Sequence, residues 1–232
     1  MSVSYAIQEH VATITFDDGK ANVYTHEVLD QLHRALDQAR AHPAEARAVL
    51  IVGRPGRCSA GFDLATMTAG PDARRGLVGD EARFVARLLL EPLPVVAACT
   101  GHALAAGALV LLAADHRIGM AGDWRIGLNE VAIGMALPVW AVELARYRMP
   151  AGQFDRILLG EIGGPEEACA AGFLDRVVGP DDLLSEATAT ATRLAALRTG
   201  AVAGTKERAR TELARRMLEG LDDDLAALSP PG

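Results

Sequence analysis

Apolar and polar positions alternate from the start of the chain. Val3, Tyr5 and Ile7 alternate with Ser4, Ala6 and Gln8, and after Glu9-His10 the run Val11-Ala12-Thr13-Ile14-Thr15-Phe16 predicts the second arm of a hairpin. Asp17-Asp18-Gly19-Lys20 is a turn signal. The spacing then becomes helical, with Val28, Leu32, Leu36 and Ala39 on one face and an expected end near Arg40, just before His42-Pro43. The continuous apolar run from Ala48 to Gly53 reads as a buried strand. Met67 to Arg75 has no clear period, and its Gly70-Pro71-Asp72 break predicts a mobile loop. A helix is expected from about Asp80 to Glu91, carrying Phe84, Val85, Leu88 and Leu89 on one face, and Pro92 and Pro94 lead into a strand beginning at Val95. This alternation predicts the α/β class. The second half reads as helices over 138–148, 150–159, 165–171, 183–197 and 201–218, several opened by proline, which suits the first helical position. The last of them places Val202, Ala209, Leu213 and Met217 near one stripe, and Ser229-Pro230-Pro231-Gly232 is expected to be a frayed tail.

Composition narrows the function classes. A chain of 232 residues, half of them hydrophobic, can bury a substantial core. Only 4% are aromatic, which leaves little to stack nucleic-acid bases, and a formal charge of −7 argues against nucleic acid or an anionic membrane as partner. Cys58, Cys99 and Cys169 are odd in number and lack metal-ligand spacing, so buried, reduced thiols and no metal site are expected. Apolar runs break before membrane-spanning length and the N-terminus carries no basic-then-apolar signal. The expectation is a soluble, cytoplasmic protein.

Two small-residue turns are the candidate chemistry. Strand-like Val95 to Thr100 enters Gly101-His102-Ala103-Leu104-Ala105-Ala106-Gly107, from which an apolar helix runs to Asp115-His116. A helix beginning between Ala105 and Gly107 presents unpaired N–H groups and the positive end of its dipole to the turn, and small side chains let a ligand oxygen approach. The alternative is a buried helix whose Gly and Ala serve close packing. A second strand, Val49 to Gly53, leads to another such turn, Ser59-Ala60-Gly61-Phe62-Asp63-Leu64, so two amides are available to one oxygen. Downstream, Trp124-Arg125-Ile126-Gly127-Leu128-Asn129-Glu130 sets one carboxylate at the end of a short strand. Glu130 is open to two readings, a proton-transfer group or a strand-end cap in solvent.

These three segments, in this order, resemble the crotonase family, the enoyl-CoA hydratases and isomerases, and the resemblance runs from the Val11 strand to the Thr205-Lys206 region. It implies a ββα spiral core over residues 1–180 and a helical region over 181–232 that mediates assembly into a homotrimer or a dimer of trimers. It also implies an acyl-CoA substrate whose thioester oxygen meets the main-chain amides of Phe62 and Ala106. Coenzyme A is then part of the substrate, and no separate cofactor is implied. Ala60, Asp63, Leu64 and Ala65 fall where relatives wrap the pantetheine and adenine, and Lys20 is either a phosphate contact or a solvated turn lysine. Family hydratases use two glutamates. The position of the first is Leu109 here and that of the second is Glu130, while Asp63 and Asp115 match positions that are mainly structural and Glu143 reads as surface charge paired with Arg146 or Tyr147. One carboxylate suffices for a 1,3-proton shift, and Gly127-Leu128-Asn129-Glu130 resembles the matching stretch of 3,2-enoyl-CoA isomerases. The expected activity is therefore the shift of a C3 double bond to C2, with a hydratase or a non-catalytic acyl-CoA-binding protein as alternatives.

Overall fold

The computed structural model describes residues 2–228; the tail expected to fray, 229–232, lies outside them. Strands β1 (Val3–Gln8) and β2 (Val11–Phe16) pair antiparallel, Val3 opposite Phe16. Their two-residue turn takes Glu9 and His10 to φ 50° and 65°, the left-handed pair that matches strand twist in a tight hairpin. Next come β3 (Val23–Tyr24) and α1 (His26–Ala41), the latter capped by the Thr25 hydroxyl, which accepts from Val28 N at 3.1 Å.

From here the chain climbs by a repeated step. A strand in the large sheet is followed by a short strand beside it and then by a helix that returns the chain. The first such step is β4 (Ala48–Val52), β5 (Gly56–Ser59) and β6 (Gly61–Phe62), then α2 (Leu64–Thr68) and α3 (Pro71–Leu89). The second is β7 (Val95–Cys99), β8 (Gly101–Leu104) and α4 (Ala106–Ala113). The third is β9 (His116–Met120), β10 (Ile126–Gly127), a 3-10 turn at Val131–Ile133 and α5 (Val139–Arg148). The large sheet has the order β1-β2-β4-β7-β9, and the short strands form a second sheet ordered β10-β8-β5, with β3-β6 apart. Every pair except β1–β2 is parallel, as helical crossovers require. This is the expected α/β spiral of ββα units.

The chain closes with α6 (Ala151–Leu158), α7 (Pro165–Ala171), β11 (Arg176–Val178), which extends the large sheet beyond β9, then α8 (Leu183–Ala195), α9 (Thr199–Leu218) and α10 (Leu221–Ala226). A parallel sheet must be covered on both faces. In β4, Val49 faces the main core while Ala48, Leu50 and Val52 face a second cluster, where Leu183, Ala187, Ala191 and Ala195 of α8 lie at four-residue spacing. Helices α9 and α10 pack on α3 and α5 instead.

Three expectations need correction. The supposed loop at Met67–Arg75 is helical on both sides of Gly70, because Pro71 at the first turn starts α3 nine residues earlier than the periodicity suggested. The second half is not wholly helical: β9 and β11 were unread because their short, charge-bearing sequences lack an apolar signature. Of the three free thiols only Cys99 is buried, while Cys58 and Cys169 are half-buried.

Candidate active site

Helix α4 is fixed at both ends. At its C-terminus, Arg148 donates from Nε to Leu112 O and from Nη2 to Ala114 O, both at 2.6 Å, which satisfies carbonyls the helix leaves open. Asp115 follows, accepting from Val95 N (2.7 Å), Lys206 Nζ (2.6 Å) and Arg210 Nη1 (2.5 Å). That role is structural, as expected. At the N-terminus, Ala105 sits at φ 48°, ψ −121°, a conformation an L-residue adopts only under constraint. Its N–H donates to Gly127 O, and its own carbonyl accepts from Ala108 and Leu109. The Ala106 N–H, first in the helix, therefore points out of the helix end.

Strand β6 lies against that end. A methyl group at Gly61 (φ 97°) would stand 3.2 Å from the Ala105 Cβ and 3.8 Å from Ala106 N, so only glycine fits. Gly61 N donates to the Ser59 hydroxyl at 3.0 Å and Asp63 N to Tyr24 O at 3.0 Å. Alternation along the strand turns the Phe62 N–H to the opposite side. Ser59 in turn donates to Asn22 O at 2.6 Å, and the fully buried Asn22 donates to Phe16 O at 2.7 Å and more weakly to the Arg57 and Cys58 carbonyls. Asn22 and Ser59 thus hold the first turn. Sequence reasoning missed both, because their partners lie up to 37 residues away.

Both turns border a cavity of about 340 Å³, within the usual size for small-molecule sites. Ala60, Phe62, Leu64 and Ala105 line it on the side of the two turns, and Met67, Val78, Leu109, Trp140 and Leu228 are among its other apolar residues. Among the candidate binding residues, Asp63, Ala65 and the fully buried Ala106 are not on the cavity wall, where Ala105 stands beside Ala106. The Asp63 carboxylate caps α2, accepting from Thr66 N (2.9 Å) and Thr66 Oγ1 (2.7 Å), and Ala65 is exposed. Lys20 is exposed on its turn. Glu143 pairs with Arg146 at 2.7 Å, and also with Arg216 at 3.1 Å.

Glu130 lines the cavity and is 6% exposed. It lies three residues past β10, at the start of the 3-10 turn rather than at the strand end. Its carbonyl accepts from Ile133 and Met135, so the backbone is fixed, yet Oε2 has no hydrogen-bond partner. Burial without a cation pushes the carboxyl up from its ordinary value to about 7, partly opposed by its own backbone N–H. A carboxylate poised near neutrality in an apolar pocket is suited to taking and returning a proton.

One titratable group at the site went unread. Glu81 of α3 is fully buried and neither carboxyl oxygen has a partner. The signal was its place on the stripe of Leu77, Val78, Val85 and Leu88, all buried.

The sequence pattern of the Enoyl-CoA hydratase/isomerase family matches residues 6–230. A solved structure of an enoyl-CoA hydratase/isomerase family protein from Pseudomonas syringae is 40% identical, with a TM-score of 0.94 over 97% of both chains. An enoyl-CoA hydratase from Mycobacterium marinum is 35% identical, with a TM-score of 0.92 over 99% of this chain and 100% of that one. Human mitochondrial enoyl-CoA delta isomerase 1 is 30% identical over 93% of this chain and 72% of its own length.

Proposed function

The chain belongs to the enoyl-CoA hydratase/isomerase family, and from that premise we propose that it moves a double bond from C3 to C2 of an enoyl-CoA, with Glu130 as the proton shuttle. The observation that carries the reading is the pairing of an unpartnered, buried Glu130 with an apolar Leu109 in the lining of one cavity. The thioester oxygen of a 3-enoyl-CoA sits between the Phe62 and Ala106 amides, and the acyl chain lies along Met67, Val78 and Trp140. Glu130 as carboxylate removes a proton from C2. The electron pair left at C2 forms the C1–C2 double bond as the carbonyl pair moves onto the thioester oxygen, and the resulting dienolate, with its C3–C4 double bond still in place, is held by the two amides. The same carboxyl, now neutral, returns the proton to C4, leaving a C2–C3 double bond and a carboxylate ready for the next turn.

Hydration of a 2-enoyl-CoA needs a second group to orient water and protonate C2, and Leu109 cannot supply it. Assembly through the C-terminal helices as a trimer or a dimer of trimers belongs to the same proposal and rests on the family membership. Purified protein supplied separately with a 3-enoyl-CoA and a 2-enoyl-CoA tests the reading. Faster isomerisation of the first than hydration of the second is expected, and the reverse order rejects it.

A further inference from the structure

Glu81 has no place in the mechanism above, yet it is a fully buried carboxyl with both oxygens unpartnered. Burial of such a group is tolerated only where it is neutral or where its charge does work. Its helix turn is the one after Val78, which lines the catalytic cavity, and α3 packs on α4, whose Leu109 lines the same cavity. Burial holds the Glu81 carboxyl well above the ordinary carboxylate range, and the Glu130 charge adds to that effect. Tyr24 of β3 is the other titratable neighbour, itself fully inside and kept neutral by burial.

No cation compensates the pair among the described residues. On α3 itself, Arg74 donates to Met67 O, Arg83 pairs with Asp80 and Arg87 with Asp37. From α1, Arg40 is held by Glu91 and His26 by Asp80, while His33 contacts Arg87. From α9, Lys206 and Arg210 are both on Asp115. Helices α2 and α4 carry no charged side chain, and α10 contributes only aspartates. Two buried carboxyls without a cation cannot both ionise near neutrality, so their protons come off in two steps that belong to the pair.

We propose that Glu81 is a positioning residue for the proton transfer: Glu81 and Glu130 form one buried carboxyl pair that carries a single negative charge, with Glu81 the member that keeps its proton. The catalytic meaning of the pair rests on Glu130 being the base. With Glu81 neutral, Glu130 is the one anion near C2. Once it has taken the proton, no carboxylate faces the dienolate. A second ionisation, at Glu81, would set a negative charge beside both the enolate and Glu130 and hold the proton on Glu130 against its return to C4. Turnover then falls at alkaline pH.

Infrared spectroscopy of the carboxylic C=O stretch, recorded across pH without substrate, tests the pair independently of turnover. The wild type is expected to keep a protonated-carboxyl band above pH 8 that Glu81→Gln abolishes. In Glu130→Gln the same band is expected to titrate at least one pH unit lower, because the neighbouring charge is gone. The rate profile adds the functional arm: wild-type isomerisation declines about tenfold per pH unit on its alkaline side, and Glu81→Gln loses that decline whatever the height of its plateau. If Glu81→Gln fails to fold, the band shift in Glu130→Gln still decides. A band that is absent in the wild type, or unmoved by Glu130→Gln, overturns the pair. A shifted band in a protein that does not isomerise upholds the pair and rejects the assigned reaction.

Discussion

Glu130→Gln removes a charge that the fold pays to bury, so it is expected to abolish turnover and raise stability together. Folding holds the Glu130 carboxyl at about 7 against an ordinary 4.5. A raised carboxyl retains its proton in the folded state where the unfolded chain has already released it. Stability is therefore unaffected below about pH 4.5, falls as pH rises towards 7, and stays reduced above it. At about 1.4 kcal/mol per pH unit the charge costs at most about 3 kcal/mol at pH 8. Glutamine keeps the shape and cannot ionise. Its stability gain over wild type is expected to be near zero at pH 4.5 and to grow to a ceiling of about 3 kcal/mol, or about 6 to 12 °C in Tm for a chain of this size. Thermal unfolding of both proteins at half-unit steps from pH 4.5 to 8.5 measures the difference, and an isomerase assay in the same buffers measures turnover. Wild-type kcat/KM should rise about tenfold per unit up to pH 7, since the base must be ionised, and then hold a plateau until the alkaline decline assigned to Glu81 begins. A pH-independent Tm difference, or a variant less stable than wild type at pH 8, would refute the reasoning.

Ala106→Pro deletes the amide at the helix start, where proline is tolerated better than in the interior. A folded variant, checked by circular dichroism, is expected to lose turnover by a hundredfold or more, and wild-type turnover in it would remove Ala106 from the oxygen site. Leu109→Glu puts a carboxyl at a position that is 1% exposed. It should cost several kcal/mol of stability by denaturant titration and raise hydration of a 2-enoyl-CoA relative to isomerisation, and an unchanged ratio of the two activities counts against the role given to Leu109. Asp115→Asn strands Lys206 and Arg210 in the interior without their counter-charge, with an expected loss of about 3–5 kcal/mol. A loss below about 1 kcal/mol would show the triad to be dispensable.

Much of this architecture was readable from local pattern. The apolar runs at Val49 and Val95 are central strands, the Ala-rich segment after Leu104 is α4, and Glu130 does reach the cavity bordered by both small-residue turns. What stayed hidden depends on distance along the chain. Asn22 looks like any turn residue until Ser59 is brought beside it. The short strands β5 and β8 have four residues each and lie in a small sheet of their own, so no run of sequence announces them, whereas the short strand before Glu130 is legible. Glu81 is visible in principle as a carboxyl on an apolar stripe, beside a half-buried Asp80 that pairs with His26 and Arg83.

The distribution of matched and unmatched charge separates function from structure in this fold. Buried Arg117 is held by Asp175 and the Gly172 carbonyl, buried Glu91 by Arg40, and Lys206 and Arg210 by Asp115. Each satisfies the rule that an interior charge needs a partner. Buried Arg74 is met only by the Met67 and Leu228 carbonyls, while the buried Glu81 and Glu130 carboxyls leave oxygens with no partner at all. Supplying a cation near Glu130 would relieve the cost by drawing its pKa back towards the ordinary range. It would also weaken the carboxylate as a base at neutral pH, because basicity and instability here have the same source. A cavity wall left apolar around Glu130, with Leu109 where another carboxyl could stand, is therefore the arrangement that keeps one carboxylate reactive.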